Sequence, residues 1–330
     1  MPSTNGEQTP ISVLGIVYLI EGSIIVIGNL IIVLAIITDR SLHRKEIYLP
    51  FGLAWADFCF GVGQVYSELR IIYLTRIDDP ITGFWTAWEC LLQPHCLFYL
   101  FGGFYMPVVI LLISIDRLIA CTSIHFYSEI GSKQIIAVIL AAVGCGALCT
   151  GGSYLSTNLH IRNKSIPSMC LAGLALTELN LMFWDVSQTV LSLLSVVIYA
   201  VAMLTLRAQR NVVLSIAVER RKLRQSRVTK SLFIVILCVF LFYTVPHIVI
   251  LACTGKLAFD TYQTVVSLCV FMLNINSACN LFIYYWKCKD IRKGILRLIF
   301  GKKYATNTVH TNIFAISQKW ATAPFQNHEI

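Results

Sequence analysis

Four polar side chains stand inside runs that are otherwise apolar. They are Asn29 in Gly28-Asn29-Leu30, Asp57 in Leu53-Ala54-Trp55-Ala56-Asp57, and Asn276 and Asn280 within 261–286. A carboxylate or amide among hydrocarbon is costly, and is normally paired or used. All four fall at depths where they can meet inside a bundle. One carboxylate with three amides makes a polar, water-accessible cluster and a candidate sodium site at Asp57. The structural alternative is interhelical hydrogen-bond glue, on average about 0.6 kcal/mol per bond. Asp116-Arg117 closes the run 92–121. Arg117 there can pair with Asp116, meet the backbone carbonyls of a partner protein, or snorkel to lipid headgroups. Asp185, in one half of 181–206, offers a counter-charge to a cationic or hydrogen-bond-donating ligand, or a partner for a neighbouring helix. Glu21 reads as structural. His247 is either a pH-sensitive contact or a hydrogen-bonded bundle histidine. No paired aspartates, Ser/His set or metal-ligand spacing falls at a shared depth, so an enzyme is not expected.

The elements that position these groups are long and apolar. Of 330 residues, 57% are hydrophobic and 13% charged, against about 25% charged in ordinary soluble domains. Mean hydropathy is +0.72. A spanning helix needs roughly 20 mainly apolar residues. Runs at 11–37, 47–72, 92–121, 133–155, 181–206, 229–253 and 261–286 qualify. In lipid the backbone must satisfy its own hydrogen bonds, which demands helices. The short alternating segments of a membrane barrel do not occur. The expected fold class is therefore an all-α membrane protein, a seven-helix transmembrane bundle. Residues 1–10 form an outer tail, 11–300 the bundle with a short amphipathic eighth helix, and 301–330 a disordered tail on the inner side.

Orientation follows from lysine and arginine. Arg70, Arg76, Arg162, Lys164 and Lys256 fall on one side; the other twenty-one, clustered at 40–45, 207–230 and 287–319, fall on the other. The N-terminus is expected outside, the C-terminus in the cytoplasm, and the first helix serves as an uncleaved insertion signal. The net charge of +9 is then mostly topological, and its spread over membrane-flanking loops argues against nucleic acid. The sequon Asn163-Lys164-Ser165 lies in a loop that the charges already place outside, and makes Asn163 a glycosylation candidate. Most of the twelve cysteines lie within spans as packing residues. Cys90, Cys96 and Cys170 face the oxidising side, with one disulfide expected among them. Cys288 is a palmitoylation candidate. Residues 207–230 read as helical extensions of the flanking spans. In 288–300, Ile291, Ile295, Leu298 and Ile299 share one face with Lys and Arg opposite, an amphipathic helix for the lipid surface. Pro246 should kink the sixth helix and let its end swing as a lever.

Ala56-Asp57-Phe58-Cys59, Glu89-Cys90-Leu91, Ile115-Asp116-Arg117-Leu118-Ile119-Ala120 and Asn280-Leu281-Phe282-Ile283-Tyr284-Tyr285-Trp286 resemble the rhodopsin-like G-protein-coupled receptors. More narrowly, they resemble nematode serpentine chemoreceptors of class sx. The resemblance covers about 15–300. It implies a plasma-membrane receptor for a small molecule or peptide that signals by sixth-helix movement to a heterotrimeric G protein, with no cofactor. Asn29, Asp57 and Asn280 would form a switch network. Arg117 would engage the G protein, Tyr284 would swing inward with Tyr199, and Phe240 would belong to the packing switch above them. Cys90 would bridge to Cys170, tying the third helix to the outer loop; Cys90 stands two residues further from Arg117 than usual, which keeps Cys96 a rival. Tyr99, Gly103, Phe104, Asp185, His247 and Asn274 would line the ligand pocket, bordered by Gln64 and Glu68. Tyr99 stands where amine receptors carry an aspartate, which argues against an ordinary biogenic amine.

Several positions depart from the pattern. Leu281 replaces a proline, Leu118 an aromatic residue and Thr244 the tryptophan toggle. Ser226 stands where an acidic partner of Arg117 is usual, which predicts raised basal activity. The alternative function is a multi-pass transporter or channel. It would need a continuous polar path, broken helices in pairs or internal repeats. Met106-Pro107 and Pro246 supply two prolines without symmetry.

Overall fold

In the computed structural model the described residues are 13–76, 84–167, 170–208, 233–254, 256 and 258–301. Seven long helices form a bundle: α1 (Val13–Thr38), α2 (Lys45–Arg76), α4 (Pro94–Thr122), α6 (Ser132–His160), α8 (Glu178–Ala208), α9 (Phe233–Cys253) and α10 (Phe259–Lys287). Each covers its expected run to within a few residues. Six are long and apolar enough to cross a membrane. The seventh, α2, has ample length at 32 residues but carries Asp57, Gln64, Glu68 and Arg70. The first three of these are buried against other helices rather than turned to lipid. That is why its composition is the least apolar while its place in the bundle is unambiguous.

Helix α4 is the most buried of the apolar spans and touches α2, α6 and α8. Two glycines bring α2 and α4 into backbone contact. A Cβ on Gly102 would meet Phe60 N at 2.7 Å, and one on Gly63 would meet Tyr99 N at the same distance. Small residues allow this approach, which drives helix association where lipid removes the hydrophobic effect. Helix α6 is the least buried, and Leu140, Leu148, Leu155 and Leu159 cover its outer face. Apolar exposure of that kind suits a surface covered by acyl chains.

One end of the bundle carries a two-stranded sheet whose strands are distant in sequence. β1 (Phe84–Thr86) pairs antiparallel with β2 (Ser165–Pro167), Trp85 opposite Ile166. Next to it lie α3 (Ala87–Leu91), closed by a Thr86–Glu89 capping box, and α7 (Ala172–Ala175). At the opposite end are α5 (Ile124–Glu129) and the amphipathic α11 (Lys289–Phe300). Ile291 and Ile295 of α11 are buried, and a Cβ on Gly294 would meet Leu42 at 2.6 Å. Arg297 Nη1 donates to Asp39 Oδ2 at 2.8 Å, and Arg44 pairs with Asp290 at 3.2 Å. Ile299, expected on the same face, is instead 56% exposed beyond the α1 contact. The segments 1–10 and 302–330, and with them the expected tails, lie outside the described residues, as does 209–232, which includes Ser226.

Pro246 produces a local change of helix type. Residues Phe240–Thr244 form a π-helical turn, and the Val245 amide donates to the Phe240 carbonyl. A proline removes one backbone donor and crowds the preceding turn, and a wider turn is one of the few ways to absorb this. Helix α10 runs unbroken through Leu281, which packs against Gly28 of α1.

Candidate functional site

Three groups of buried polar side chains follow the bundle axis. The deepest is centred on Asp57, which is fully buried. Its Oδ1 accepts from Ser277 Oγ at 2.6 Å and its Oδ2 from Asn280 Nδ2 at 2.5 Å. Asn29 Nδ2 donates to the carbonyls of Ile25 at 2.9 Å and Ser277 at 3.4 Å. Thus Asn29, Asp57 and Asn280 come together as expected from the sequence. Asn276, one position before Ser277, is buried but makes no side-chain hydrogen bond to the cluster among the described residues. The helical period turns Ser277, not Asn276, toward Asp57. Ser277 was missed because a serine in a span is unremarkable by itself. The donors present satisfy Asp57 as a hydrogen-bonded carboxylate.

The second group closes one end of α4. Arg117 is 1% exposed and paired with the adjacent Asp116, and its Nη2 also donates to Tyr127 Oη at 3.1 Å. Tyr127 belongs to α5 and is itself held by Lys45. The lysine ammonium donates to the carbonyls of Tyr127 and of Ile130 (at 3.0 Å for the latter) and lies 4.1 Å over the tyrosine ring. Burial pushes the Tyr127 phenol above its ordinary pKa and keeps it a neutral donor-acceptor. Tyr199 stands close to Arg117, and Tyr284 is completely buried with its hydroxyl unpartnered. Neither Tyr127 nor Lys45 was legible as a partner, because the cage depends on how a short loop helix folds back.

The third group lies toward the β1–β2 sheet. Tyr99, Gly103 and His247 line a small cavity of about 30 Å³ together with Trp184, Gln188 and Tyr243. Gln188 Nε2 donates to the Gly103 carbonyl at 2.8 Å, and the Tyr243 hydroxyl donates to Gln188 Oε1. A Cβ on Gly103 would overlap Trp184 at 2.1 Å, so glycine is what lets the indole lie against α4. His247 stacks edge-on against Tyr243 at 4.8 Å. Tyr243 lies within the π-turn, so this polar bridge joins α4 and α8 to the altered segment of α9.

Three expected pocket residues are placed elsewhere. Phe104 packs on Trp184 and Phe183, and lines neither this cavity nor the larger one beside it. Asp185 also lines neither; one position along the helix, Trp184 takes the inward place. Asn274 Nδ2 donates to Glu21 Oε2 at 3.0 Å, which ties α10 to α1 and uses Glu21 structurally. The larger cavity, about 280 Å³, lies on the other side of Tyr99, among α1, α2, α4 and α10; Gln64 and Glu68 line it.

Cys90 and Cys170 are disulfide-bonded. Cys90 sits in α3, however, not in the third span, because Gln93 and Pro94 start α4 anew. Cys96, in α4, remains a free thiol 4.0 Å from the Cys170 sulfur. Asn163 is exposed in the turn between α6 and β2, and Cys288 is half-buried between α10 and α11.

Comparison with known proteins agrees with this architecture. Residues 23–299 match the family described as serpentine type 7TM GPCR chemoreceptor Srsx. Trace amine-associated receptor 9 of Rattus norvegicus is 24% identical over 306 residues, covering 88% of each chain. Trace amine-associated receptor 5 of Homo sapiens is 25% identical over 304 residues, 88% of this chain and 86% of its own. Olfactory receptor 51V1 of Homo sapiens is 27% identical over 123 residues, 37% of this chain and 36% of its own. The match thus spans about a third of that olfactory receptor and nearly nine-tenths of the trace amine-associated receptors. With the family match extending over most of its length, from α1 into α11, the chain belongs to the Srsx family of seven-transmembrane G-protein-coupled chemoreceptors.

Proposed function

We propose that the protein is a plasma-membrane chemosensory receptor that couples a small molecule at its β1–β2 end to a heterotrimeric G protein at its Arg117 end. The β1–β2 end faces outward and the C-terminus lies in the cytoplasm; the twenty-one to five division of basic residues supports this. Asn163 is then on the side where glycans are added. A small molecule suits the mouth better than a peptide, because Leu171, Ala172 and Gly173, next to the Cys90–Cys170 bond, line a cavity of only about 280 Å³.

The single observation that carries the coupling is the Arg117 cage. A fully buried guanidinium held by Asp116 and Tyr127, with Nη1 unpartnered, is a charge waiting for an acceptor. Carbonyls of a docked protein would supply one. Ligand contact at Tyr99 would pass through Gln188 and Tyr243 to the π-turn. Phe240 and Pro246 there would let α9 swing, and Asn29, Asp57, Asn280, Tyr199 and Tyr284 would rearrange between the two ends. The ligand shifts this equilibrium only by its differential affinity for the two states. Because Asp116 and Tyr127 already hold Arg117, the substitution at Ser226 need not leave the resting state unlocked.

GTPγS exchange in membranes from expressing cells tests this reading, with ion flux measured in parallel. Arg117→Ala at normal surface level is expected to abolish ligand-stimulated exchange. Stimulated exchange that survives the substitution, or flux without exchange, would overturn it.

A further inference from the structure

The 280 Å³ cavity has a polarity that the family membership does not explain. One wall is Glu68, 7% exposed. A single hydrogen bond reaches it among the described residues, from Gln64 Nε2 at a long 3.4 Å, and its second oxygen receives none. No lysine or arginine lines the cavity. A buried carboxylate without a counter-charge is expensive and is normally paired.

The other polar groups on the wall carry no charge to oppose it. The Tyr18 hydroxyl is committed to the Ser267 carbonyl at 2.7 Å. His95, 2% exposed, places Nε2 2.9 Å from the Cys170 carbonyl, and a carbonyl only accepts, so Nε2 carries the proton. The Ser67, Ser267 and Tyr99 hydroxyls both donate and accept. The wall therefore offers one acid and no cation. Its remaining lining includes Val266, Val270, Leu171 and Ala172. The volume lies just under the about 300–1,000 Å³ of typical small-molecule sites.

We propose that this cavity, between α1, α2, α4 and α10, binds a small primary ammonium ligand with Glu68 as its counter-ion. The ammonium hydrogens meet the Glu68 carboxylate, and the organic tail lies along Val270 and Tyr99. Asp185, the acid that the sequence puts forward for a cation, does not line this cavity; Glu68, expected only at the pocket border, does, and supplies from α2 the acid that the position of Tyr99 lacks. The proposal rests on the receptor reading for its consequence in the cell, but not for the binding itself.

The test is thermal unfolding of the purified full chain in detergent. The probes are phenethylamine, cyclohexylmethylamine and n-hexylamine, each beside the alcohol of the same skeleton. The amines are expected to raise the midpoint in a concentration-dependent way and the alcohols are not. Glu68→Gln should weaken the apparent affinity at least about tenfold, the loss expected for a charge-assisted bond. Val270→Phe, which fills the cavity and leaves the carboxylate, should weaken it as well, while Asp185→Asn should leave it unchanged. Alcohols equal to amines, indifference to Glu68→Gln in folded protein, or no shift with any amine would overturn the proposal. GTPγS exchange in membranes from expressing cells, with the same amines, separates the two readings. An amine shift without exchange leaves the site standing and sinks the proposed coupling to a G protein. Amine-driven exchange unaltered by Glu68→Gln does the reverse.

Discussion

Asp57 and Glu68 lie on one face of α2, three helical turns apart, and both are more than nine-tenths buried. Their surroundings are opposite. Asp57 receives a hydroxyl and an amide from α10, while Glu68 has one long bond from its own helix and a cavity in front of it. Burial is therefore a poor guide to what a membrane carboxylate does. The supply of donors separates them. At the level of Asp57 the helices converge and α10 presents Ser277 and Asn280. At the level of Glu68 they diverge, and the donors are left to a ligand.

The comparison makes sharp predictions, the largest at Asp57. Asp57→Leu strands the Ser277 and Asn280 donors in an apolar core and should destabilise the protein by about 2–5 kcal/mol. This would appear as a clear fall in the detergent unfolding midpoint and in surface level; an unchanged midpoint would mean that the cluster is not held by these bonds. Ser277→Ala removes one bond of the pair and should cost about 1–2 kcal/mol, with Asp57→Leu adding less than its full effect on top, because the two share a partner. At Glu68 the sign should change. Glu68→Leu removes an unpaired buried charge and should leave the unfolding midpoint level or raise it, while ammonium binding disappears. A fall as large as that of Asp57→Leu would erase the distinction between the two sites.

The smallest effect concerns a third carboxylate, at the rim. Burial alone would raise the Asp39 pKa, but hydrogen bonds from the hydroxyl and amide of Ser41 and from Arg297 outweigh it and hold the group below the usual carboxylate value. A depressed folded pKa contributes stability at pH values above the unfolded pKa, and loses it as pH falls through the folded one. The docking of α11 should thus be unchanged from neutral pH down to about 5 and loosen only below about 4. Asp39→Asn should speed amide hydrogen exchange along α11 modestly at neutral pH; identical exchange would show that Arg297 does not anchor the helix through Asp39.

Much of this was legible beforehand, for identifiable reasons. The spans were visible because the bilayer sets a length and composition that a linear sequence cannot hide. The Asp57–Asn280 pairing was visible because polar groups at matching depth in apolar helices have few other partners. Helix α11 showed through its 3.6-residue period. The pocket was less legible. Trp184 and Asp185 are adjacent, and a rotation of about 100° per residue decides which faces inward; nothing local fixes it. The same rotation exchanged Ser277 for Asn276. The π-turn before Pro246 was readable as a disturbance but not in kind, because a kink and a wide turn both accommodate the missing amide.

The sequence by itself determined the seven helices, their polar depths, the family and the charge asymmetry from which an orientation is expected. These depend on composition and period, which are local. Only the tertiary structure decided that Asp57 is saturated and Glu68 is not, that Tyr127 and Lys45 cage Arg117, that Asn274 serves Glu21, and that Cys90 rather than Cys96 takes Cys170. Each of those depends on the rotation and spacing of helices distant in sequence, set by close backbone contacts such as Gly102 on Phe60 and Gly103 beneath Trp184. Packing of that kind is a property of pairs of surfaces, and no single stretch of the chain contains it.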